Sequence, residues 1–218
     1  MKEIKENKSI SEIIKRLKKH YPQAKIILKY SNPWELLVAT VLSAQCTDLT
    51  VNKVTERLFR KYKNIKDYAN ARLIEFEQDI KSTGFFRNKA KNIIESAKRI
   101  LKDYKGKVPD TMKELINLPG VARKTANVIL YNAFSKKEGI AVDTHVIRLS
   151  QRLGLTKNKD PKKIEKDLMK IAPKKQWGLI TYLLIDHGRA VCNAKKPLCN
   201  QCVLNDICPY VITYNVNV

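Results

Sequence analysis

The chain has 218 residues, 44% of them hydrophobic, which is enough to bury one or two cores and excludes a chain that is disordered throughout. Lys and Arg number 43 against 21 Asp and Glu, and the formal net charge of +22 favours nucleic acid as a partner, ahead of a membrane surface or of bound anions that relieve self-repulsion. No run of about 18 apolar residues occurs, which excludes a helix that spans a bilayer.

The N-terminal segment is charged and lacks the apolar stretch of a secretory signal. We therefore expect a cytoplasmic protein, which is associated with the nucleoid if its source is prokaryotic. The first helix is predicted from about Ser11 to Tyr21. Apolar residues recur with helical periodicity along most of the chain, and no convincing strand-like alternation is found, so the sequence predicts an all-α fold with about ten helices.

Helix start signals are clear in the central part of the chain. Asn32 before Pro33 is typical of an N-cap with proline in the first turn, and the residues that follow are apolar nearly all round, so this helix is expected to be central and buried. Further helices are predicted over about 48–61, 71–80, 87–104, 111–118, 121–134, 143–153 and 175–188, with another that begins at Asp160.

A polar break over residues 135–139 is a candidate domain boundary. We expect a two-domain protein, with a central helical domain over 26–136 and a second helical domain that combines 1–25 with 137–218. The second domain ends in a short tail from Tyr210 to Val218.

Residues 114–129 predict two helices joined by a tight turn that contains Gly120. The second helix begins with backbone N–H groups that point outward, and such groups bind anions together with the positive end of the helix dipole. Arg123 and Lys124 add positive charge at this position. The segment is therefore either a phosphate-binding hairpin or an ordinary helical hairpin.

Four of the five cysteines lie close together, in the pattern C-x6-C-x2-C-x5-C. Clustered thiolates hold either zinc or a [4Fe-4S] cluster, and the spacing leaves both open. Basic residues in the same region are candidates for phosphate contact, and Cys46 is expected to be a small buried residue. The cysteines are Cys192, Cys199, Cys202 and Cys208, and the basic residues are Arg189, Lys195 and Lys196.

Four segments in the same order resemble the endonuclease III family of helix-hairpin-helix DNA glycosylases. They are LPGVARKTANV at 118–128, AVDTH at 141–145, LSAQ at 42–45 with TD at 47–48, and the cysteine pattern. The chain departs from this resemblance at Ala122, where the commonest hairpin has a second glycine. If that position requires a positive φ, alanine costs about 1 kcal/mol, whereas a mere close approach of the backbone leaves room for a methyl group.

The resemblance implies that Lys124 and Asp143 are catalytic, and both residues suit the task. A lysine nucleophile must be neutral, and the helix N-terminus, Arg123 and partial burial would each penalise its ammonium form. A phosphate-binding surface lysine is the alternative for Lys124. Asp143 fits a simple N-cap, and a carboxylate held in this way also stays rigid and ionised. His145 is expected to be a buried, hydrogen-bonded histidine.

The implied reaction is removal of an oxidised pyrimidine from double-stranded DNA, and cleavage at abasic sites, by a lysine Schiff base and β-elimination. The resemblance also implies that the cysteines hold a [4Fe-4S] cluster. We expect a monomer that does not bind membranes, with its substrate cleft between the two domains.

Extrusion of the damaged nucleotide requires side chains that fill the gap and separate the stacked bases. The resemblance assigns these roles to Gln45 and Phe85. For Phe85 and its neighbour Phe86 the alternative is core packing, and at least one of the two is expected in the core. The other predicted DNA contacts are Gly120, Ala122, Arg123, Thr125, Arg189, Lys195 and Lys196.

Two other functions fit parts of the sequence. The first is a monofunctional glycosylase for mismatched adenine or thymine, but such relatives replace the lysine that Lys124 matches. The second is a non-catalytic, cluster-bearing protein that binds DNA or senses redox state. Such a protein needs the hairpin and the cysteines, but it does not need both Lys124 and Asp143.

Overall fold

The computed structural model describes residues 2–211, with side chains from Ile10 onward, and residues 212–218 of the predicted tail lie outside this part. The described residues contain eleven α-helices, four short 3-10 helices and no strand, which confirms the all-α prediction. The α-helices are α1 (Lys2–His20), α2 (Pro33–Leu42), α3 (Asp48–Lys61), α4 (Ile65–Ala69), α5 (Leu73–Asp79), α6 (Phe86–Asp103), α7 (Met112–Leu115), α8 (Arg123–Phe134), α9 (Thr144–Arg152), α10 (Pro161–Ile171) and α11 (Trp177–Ala190). None of these helices is both long and apolar enough to cross a lipid bilayer.

The chain forms two compact units. The central unit consists of Ile27–Glu138, and the terminal unit consists of the residues up to Ile26 and from Gly139 onward. The predicted hairpin belongs to the central unit, and the four clustered cysteines belong to the terminal unit.

Helix α2 lies in the core of the central unit, as its composition predicts. The Asn32 side chain accepts a hydrogen bond from the backbone N–H of Glu35 at 2.9 Å, which caps the helix. Eight of its ten residues are buried, and it packs against α3, α6 and α8. The same helix ends at Leu42, directly before the segment that contains Gln45.

Helix α6 follows the predicted amphipathic pattern closely. Ile93, Ile94, Ala97 and Ile100 are buried in the central unit. The helix ends where Gly106, at φ +77°, donates its backbone N–H to Ile100 at 3.0 Å.

Some predicted boundaries were wrong for local reasons. Helix α1 begins at Lys2, well before the predicted start near Ser11. The earlier start was missed because the first turns are charged and have no apolar periodicity. The five-residue helix α4 was missed because it is too short to show a period, although Asn64 and Asp67 form a full capping box. The predicted helix over 111–118 ends at Leu115, after an N-cap by Thr111.

The terminal unit is built from α1, α9, α10 and α11 around one apolar core. Asp160 caps α10 as predicted, accepting from the Lys163 N–H at 2.9 Å. The shared core includes Ile13, Leu17, Val146, Leu149, Ile164, Leu168, Ile180, Leu183 and Leu204.

Candidate functional site

The hairpin before α8 requires a glycine at its turn. Gly120 has φ +77°, and a Cβ at this position would lie 3.1 Å from the Asn92 side chain. A larger residue would therefore meet both backbone strain and a close contact. The backbone conformation of the turn therefore requires glycine at position 120.

Two side chains of α6 fix the hairpin in place. Ser96 donates from Oγ to the carbonyl of Pro119, and Arg99 donates from Nη1 to the carbonyl of Asn117, each at 2.9 Å. Leu118 and Val121 are buried on either side of the turn. The start of α8 is thus held by packing and by hydrogen bonds within the central unit.

Ala122 adopts an extended conformation, with φ −84° and ψ 170°. Alanine is therefore unstrained at this position, and the missing second glycine carries no conformational cost. Ala122 is the N-cap of α8 but offers no side-chain hydrogen bond, so the first turn has no side-chain cap. An anion that approaches this exposed turn can take the place of the missing cap.

Lys124 is the second residue of α8 and is exposed. The expectation of partial burial was wrong, because a side chain in the first turn, beyond the buried Val121, projects into solvent. Arg123, beside it, is also exposed. Thr125 follows as a half-buried residue.

Asp143 is the N-cap of α9, as predicted. Its Oδ1 accepts a hydrogen bond from the Val146 N–H at 2.8 Å, and the side chain is half-buried. The three apolar residues before it, Ile140–Val142, are buried. The carbonyl of Ala141 accepts a hydrogen bond from Thr181 Oγ1 at 3.0 Å. The carboxylate is therefore rigid and retains access to solvent.

His145 serves the packing of α9 against α11. Its Nδ1 lies 3.2 Å from Nη2 of Arg148, which also donates to the Gly188 carbonyl at 3.0 Å. A Cβ at Gly188 would lie 2.8 Å from His145 Nδ1, so this close approach requires glycine. The histidine is hydrogen-bonded as expected, but it is half-buried rather than buried.

Gln45 and Phe85 share an unusual backbone conformation. Gln45 has φ +53° and Phe85 has φ +49°, both in the left-handed region that side chains other than glycine disfavour. Gln45 is exposed, and Phe85 exposes 64% of its surface. Phe86 is half-buried, with Arg87 over its ring at 5.2 Å. The expectation that one phenylalanine lies in the core was wrong, because the left-handed turn directs Phe85 outward and Phe86 only begins the helix.

The four clustered cysteines line one small, largely apolar pocket of the terminal unit. All four are free and half-buried, and burial raises the pKa of Cys202 to about 11 and that of Cys208 above its usual range. Within the described residues, no three potential ligands converge closely enough to hold a single metal ion.

Several N–H groups point at these sulfurs. Arg152 Nη1 lies 3.3 Å from Cys192 Sγ, and the Leu204 N–H lies 3.4 Å from Cys202 Sγ. His187 Nε2 is also 3.3 Å from Cys202 Sγ. Donors directed at sulfur are what anionic thiolate ligands require, so the donor set fits a thiolate-bound metal centre.

His187 was missed by the sequence analysis, although it lies only five residues before Cys192. It is 2% exposed, and burial lowers its pKa to about 4, so the ring is neutral at physiological pH. Tyr21 OH lies 3.0 Å from its Nδ1. The consistent tautomer accepts from Tyr21 and donates from Nε2 to Cys202.

The predicted basic contacts of the terminal unit are all on the surface: Arg189, Lys195 and Lys196 are exposed. Cys46, expected to be buried, is half-buried instead, because it follows the end of α2 in an open turn.

Known proteins resemble this chain along nearly its whole length. Residues 38–174 match the family described as HhH-GPD superfamily base excision DNA repair protein. Endonuclease III of Synechocystis sp. is 55% identical over 91% of each chain, and endonuclease III of Bacillus subtilis is 48% identical over 92% of each. A solved structure of a trapped endonuclease III–DNA covalent intermediate matches with a TM-score of 0.91 and 45% identity, over 96% of this chain and 98% of its own. The chain belongs to the endonuclease III family within this superfamily of base excision DNA repair proteins.

Proposed function

We propose that this protein is a bifunctional DNA glycosylase and abasic-site lyase that removes oxidised pyrimidines from duplex DNA. The observation that carries the proposal is Lys124, an exposed amine in the uncapped first turn of α8, inside the hairpin segment 118–128. The related endonuclease III was trapped as a covalent intermediate with DNA, which supports an amine nucleophile in this family. Incubation with a duplex that carries one thymine glycol, followed by borohydride trapping and a strand-break assay, tests the proposal.

In the proposed reaction the neutral amine of Lys124 attacks C1′ of the damaged nucleotide. The bond between C1′ and the base breaks, and the base leaves with its electron pair and takes up a proton. The nitrogen loses a proton, the C1′–O4′ bond breaks as the C=N bond forms, and the ring oxygen takes up a proton, which gives the imine. Removal of a C2′ proton then expels the 3′ phosphate, and water releases the lysine from the cleaved strand.

Asp143 is proposed to stabilise the cationic sugar and to assist the proton transfers. Its hydrogen bond from the Val146 N–H fixes the position of the carboxylate. A fixed anion stabilises developing positive charge without having to reorganise during the reaction.

The nucleotide must leave the helix before either residue can reach it. We assign to Gln45 the role of filling the space left by the extruded nucleotide and to Phe85 that of separating the stacked bases. The Phe85 side chain is 64% exposed beside basic Arg87, and contact with the stacked bases of a DNA duplex would explain this exposure.

DNA phosphates are proposed to bind at two surfaces. The first is the hairpin, where Gly120, Ala122, Arg123 and Thr125 lie at or next to the first turn of α8, which has no side-chain cap. The second is the exposed basic surface formed by Arg189, Lys195 and Lys196. Because the proposed substrate is duplex DNA, the proposed location is the cytoplasm, in association with the nucleoid if the source is prokaryotic.

We expect DNA binding to weaken steeply with salt. If about five phosphates are neutralised, the affinity should fall about 500-fold between 50 mM and 200 mM salt. Lys195→Ala with Lys196→Ala should lower the log–log slope by about two. A fluorescence-anisotropy titration checks both values.

The matched control is Lys162→Ala with Lys163→Ala, which removes two exposed charges from α10. It should leave the slope unchanged. A flat salt response of the wild-type protein would mean that the net charge of +22 does not serve DNA binding.

Cys192, Cys199, Cys202 and Cys208 are proposed to hold a [4Fe-4S] cluster. The cluster takes one thiolate on each of four irons, whereas structural zinc takes four thiolates on one ion. When bound, the cluster supplies a structural cross-link for the loop that carries Lys195 and Lys196. The N–H groups of Arg152, Leu204 and His187 then stabilise the negative charge on the sulfurs.

Metal analysis separates the two alternatives. We expect about four irons and four sulfides per chain, against about one zinc for a zinc site. Cys199→Ser should lose most of the iron, whereas Cys46→Ser, in the other unit, should retain it all. Equal iron loss in both variants would contradict the ligand assignment.

A further inference from the structure

Lys89 is a buried cation that the proposed mechanism does not use. The residue lies in the first turn of α6 and is only 5% exposed. Its ammonium donates to the carbonyl oxygens of Leu42 and Thr83, each at 2.8 Å. These two carbonyls belong to segments 41 residues apart in the sequence.

The position is unfavourable for a cation unless those carbonyls are present. Burial disfavours the charged form and lowers the pKa of Lys89, and the N-terminus of α6 adds a like-signed dipole end. The compensation comes from the ends of two other elements. Leu42 is the last residue of α2, and Thr83 is the last residue of the 3-10 helix Lys81–Thr83. Carbonyls at helix C-termini lack partners within the helix and attract cations.

Each bridged segment leads directly into a residue other than glycine that has a left-handed conformation. Gln45, at φ +53°, follows Leu42 by three positions, and Phe85, at φ +49°, follows Thr83 by two. Gly84, which lies between Thr83 and Phe85, has φ +67°. Left-handed conformations of larger residues persist only where surrounding contacts enforce them, and they concentrate at functional positions.

We infer that Lys89 is a positioning residue whose ammonium joins the end of α2 to the turn before α6 and so holds Gln45 and Phe85 ready to replace an extruded nucleotide. This inference rests on the proposed function, because it assigns Lys89 to the extrusion step. Lysine suits the position since its ammonium offers three donors at the end of a flexible apolar stem. Methionine would fill similar space and would leave both carbonyls without their donor.

The test measures extrusion separately from chemistry and from binding. The probe is a duplex with a tetrahydrofuran abasic analogue, which Lys124 cannot convert to an imine, opposite 2-aminopurine, whose fluorescence rises when the base loses its stacking partners. Full-length protein with its metal centre is added to saturation. The variants are Lys89→Met and, as a matched control, Lys102→Met, which removes an exposed charge about 20 Å further along α6.

We expect Lys89→Met to reduce the extrusion equilibrium about tenfold at saturation, with duplex affinity within about threefold of wild type. Lys102→Met should behave as wild type. A folded Lys89→Met variant that unstacks the probe normally would overturn the inference. A wild-type protein that unstacks the probe but never breaks a strand at a natural abasic site would contradict the proposed lyase while leaving this inference standing.

A second variant covers the case in which Lys89→Met does not fold. An added Cβ at Gly84 meets no atom within 4 Å, so Gly84→Ala perturbs only the backbone of the turn. Alanine disfavours φ +67°, and the turn should lose its conformation without disturbing the core. We expect the same selective loss of extrusion, and normal extrusion by this variant would contradict the role of a fixed turn.

Discussion

Lys124→Gln is expected to abolish borohydride trapping of a protein–DNA adduct and to lower strand cleavage at abasic sites by at least about 10³-fold. Glutamine retains a polar side chain of similar length but has no amine that could bond to C1′. Because Lys124 is exposed in the first turn of α8, the substitution should leave the fold intact. A gel assay for the trapped adduct, together with single-turnover cleavage rates, measures the change.

Arg123→Gln is the matched control for this prediction. Arg123 is also exposed, adjoins Lys124 and carries the same charge. Its replacement should weaken DNA binding and leave trapping at saturating protein unchanged. An adduct that persists in Lys124→Gln at the wild-type yield would assign the nucleophile to another amine.

Asp143→Asn should lower turnover by about 10² to 10⁴-fold while duplex affinity stays within a few-fold of wild type. Asparagine can still accept the Val146 N–H as an N-cap, so α9 should remain capped. What the variant loses is the negative charge that stabilises the cationic sugar and assists proton transfer. Base release and strand cleavage, measured separately at saturating protein, show which step slows.

The same substitution at Asp160 isolates the effect of the cap. Asp160 caps α10 by the same kind of hydrogen bond, which it accepts from the Lys163 N–H at 2.9 Å. Asp160→Asn should therefore match wild type in both assays. If Asp143→Asn is equally silent, Asp143 is only a helix cap.

The parts of the fold that were predicted from sequence are those with local signals. Asn32 before Pro33 indicates a helix start, and the apolar residues that follow indicate burial on all sides. Helix α2 confirms both predictions. Asp143 and Asp160 cap their helices for the same local reason. Helix α4 and the charged start of α1 lack an apolar period, so pattern analysis could not find them.

In the candidate site, too, the features with local sequence signals were predicted and those set by tertiary contacts were not. The turn glycine, Gly120, follows from the motif, and the structure adds that φ and a close approach to Asn92 both require it. The left-handed conformations of Gln45 and Phe85 could not be predicted, and neither could the hydrogen bonds from Lys89 to the carbonyls of Leu42 and Thr83, which join segments distant in the sequence. No local preference of glutamine or phenylalanine indicates such a backbone.

In the cysteine region, the ligand atoms were predicted from sequence but their hydrogen-bond donors were not. Spacing alone predicted the donor atoms, which now line one pocket. It could not predict the hydrogen bonds from Arg152 and His187 to sulfur, because these side chains reach the pocket from α9 and α11. Such tertiary contacts are set by helix packing rather than by neighbours in the sequence.

The most direct measurement of the central claim is to locate the DNA on the protein after borohydride reduction. Tryptic digestion of the trapped complex, followed by mass spectrometry, should place the deoxyribose remnant on the peptide 124–136, whose modified Lys124 resists cleavage. Recovery of the remnant on a different peptide, or strand cleavage by the wild-type protein with no trapped complex at all, would contradict an amine at Lys124 as the group that bonds to DNA.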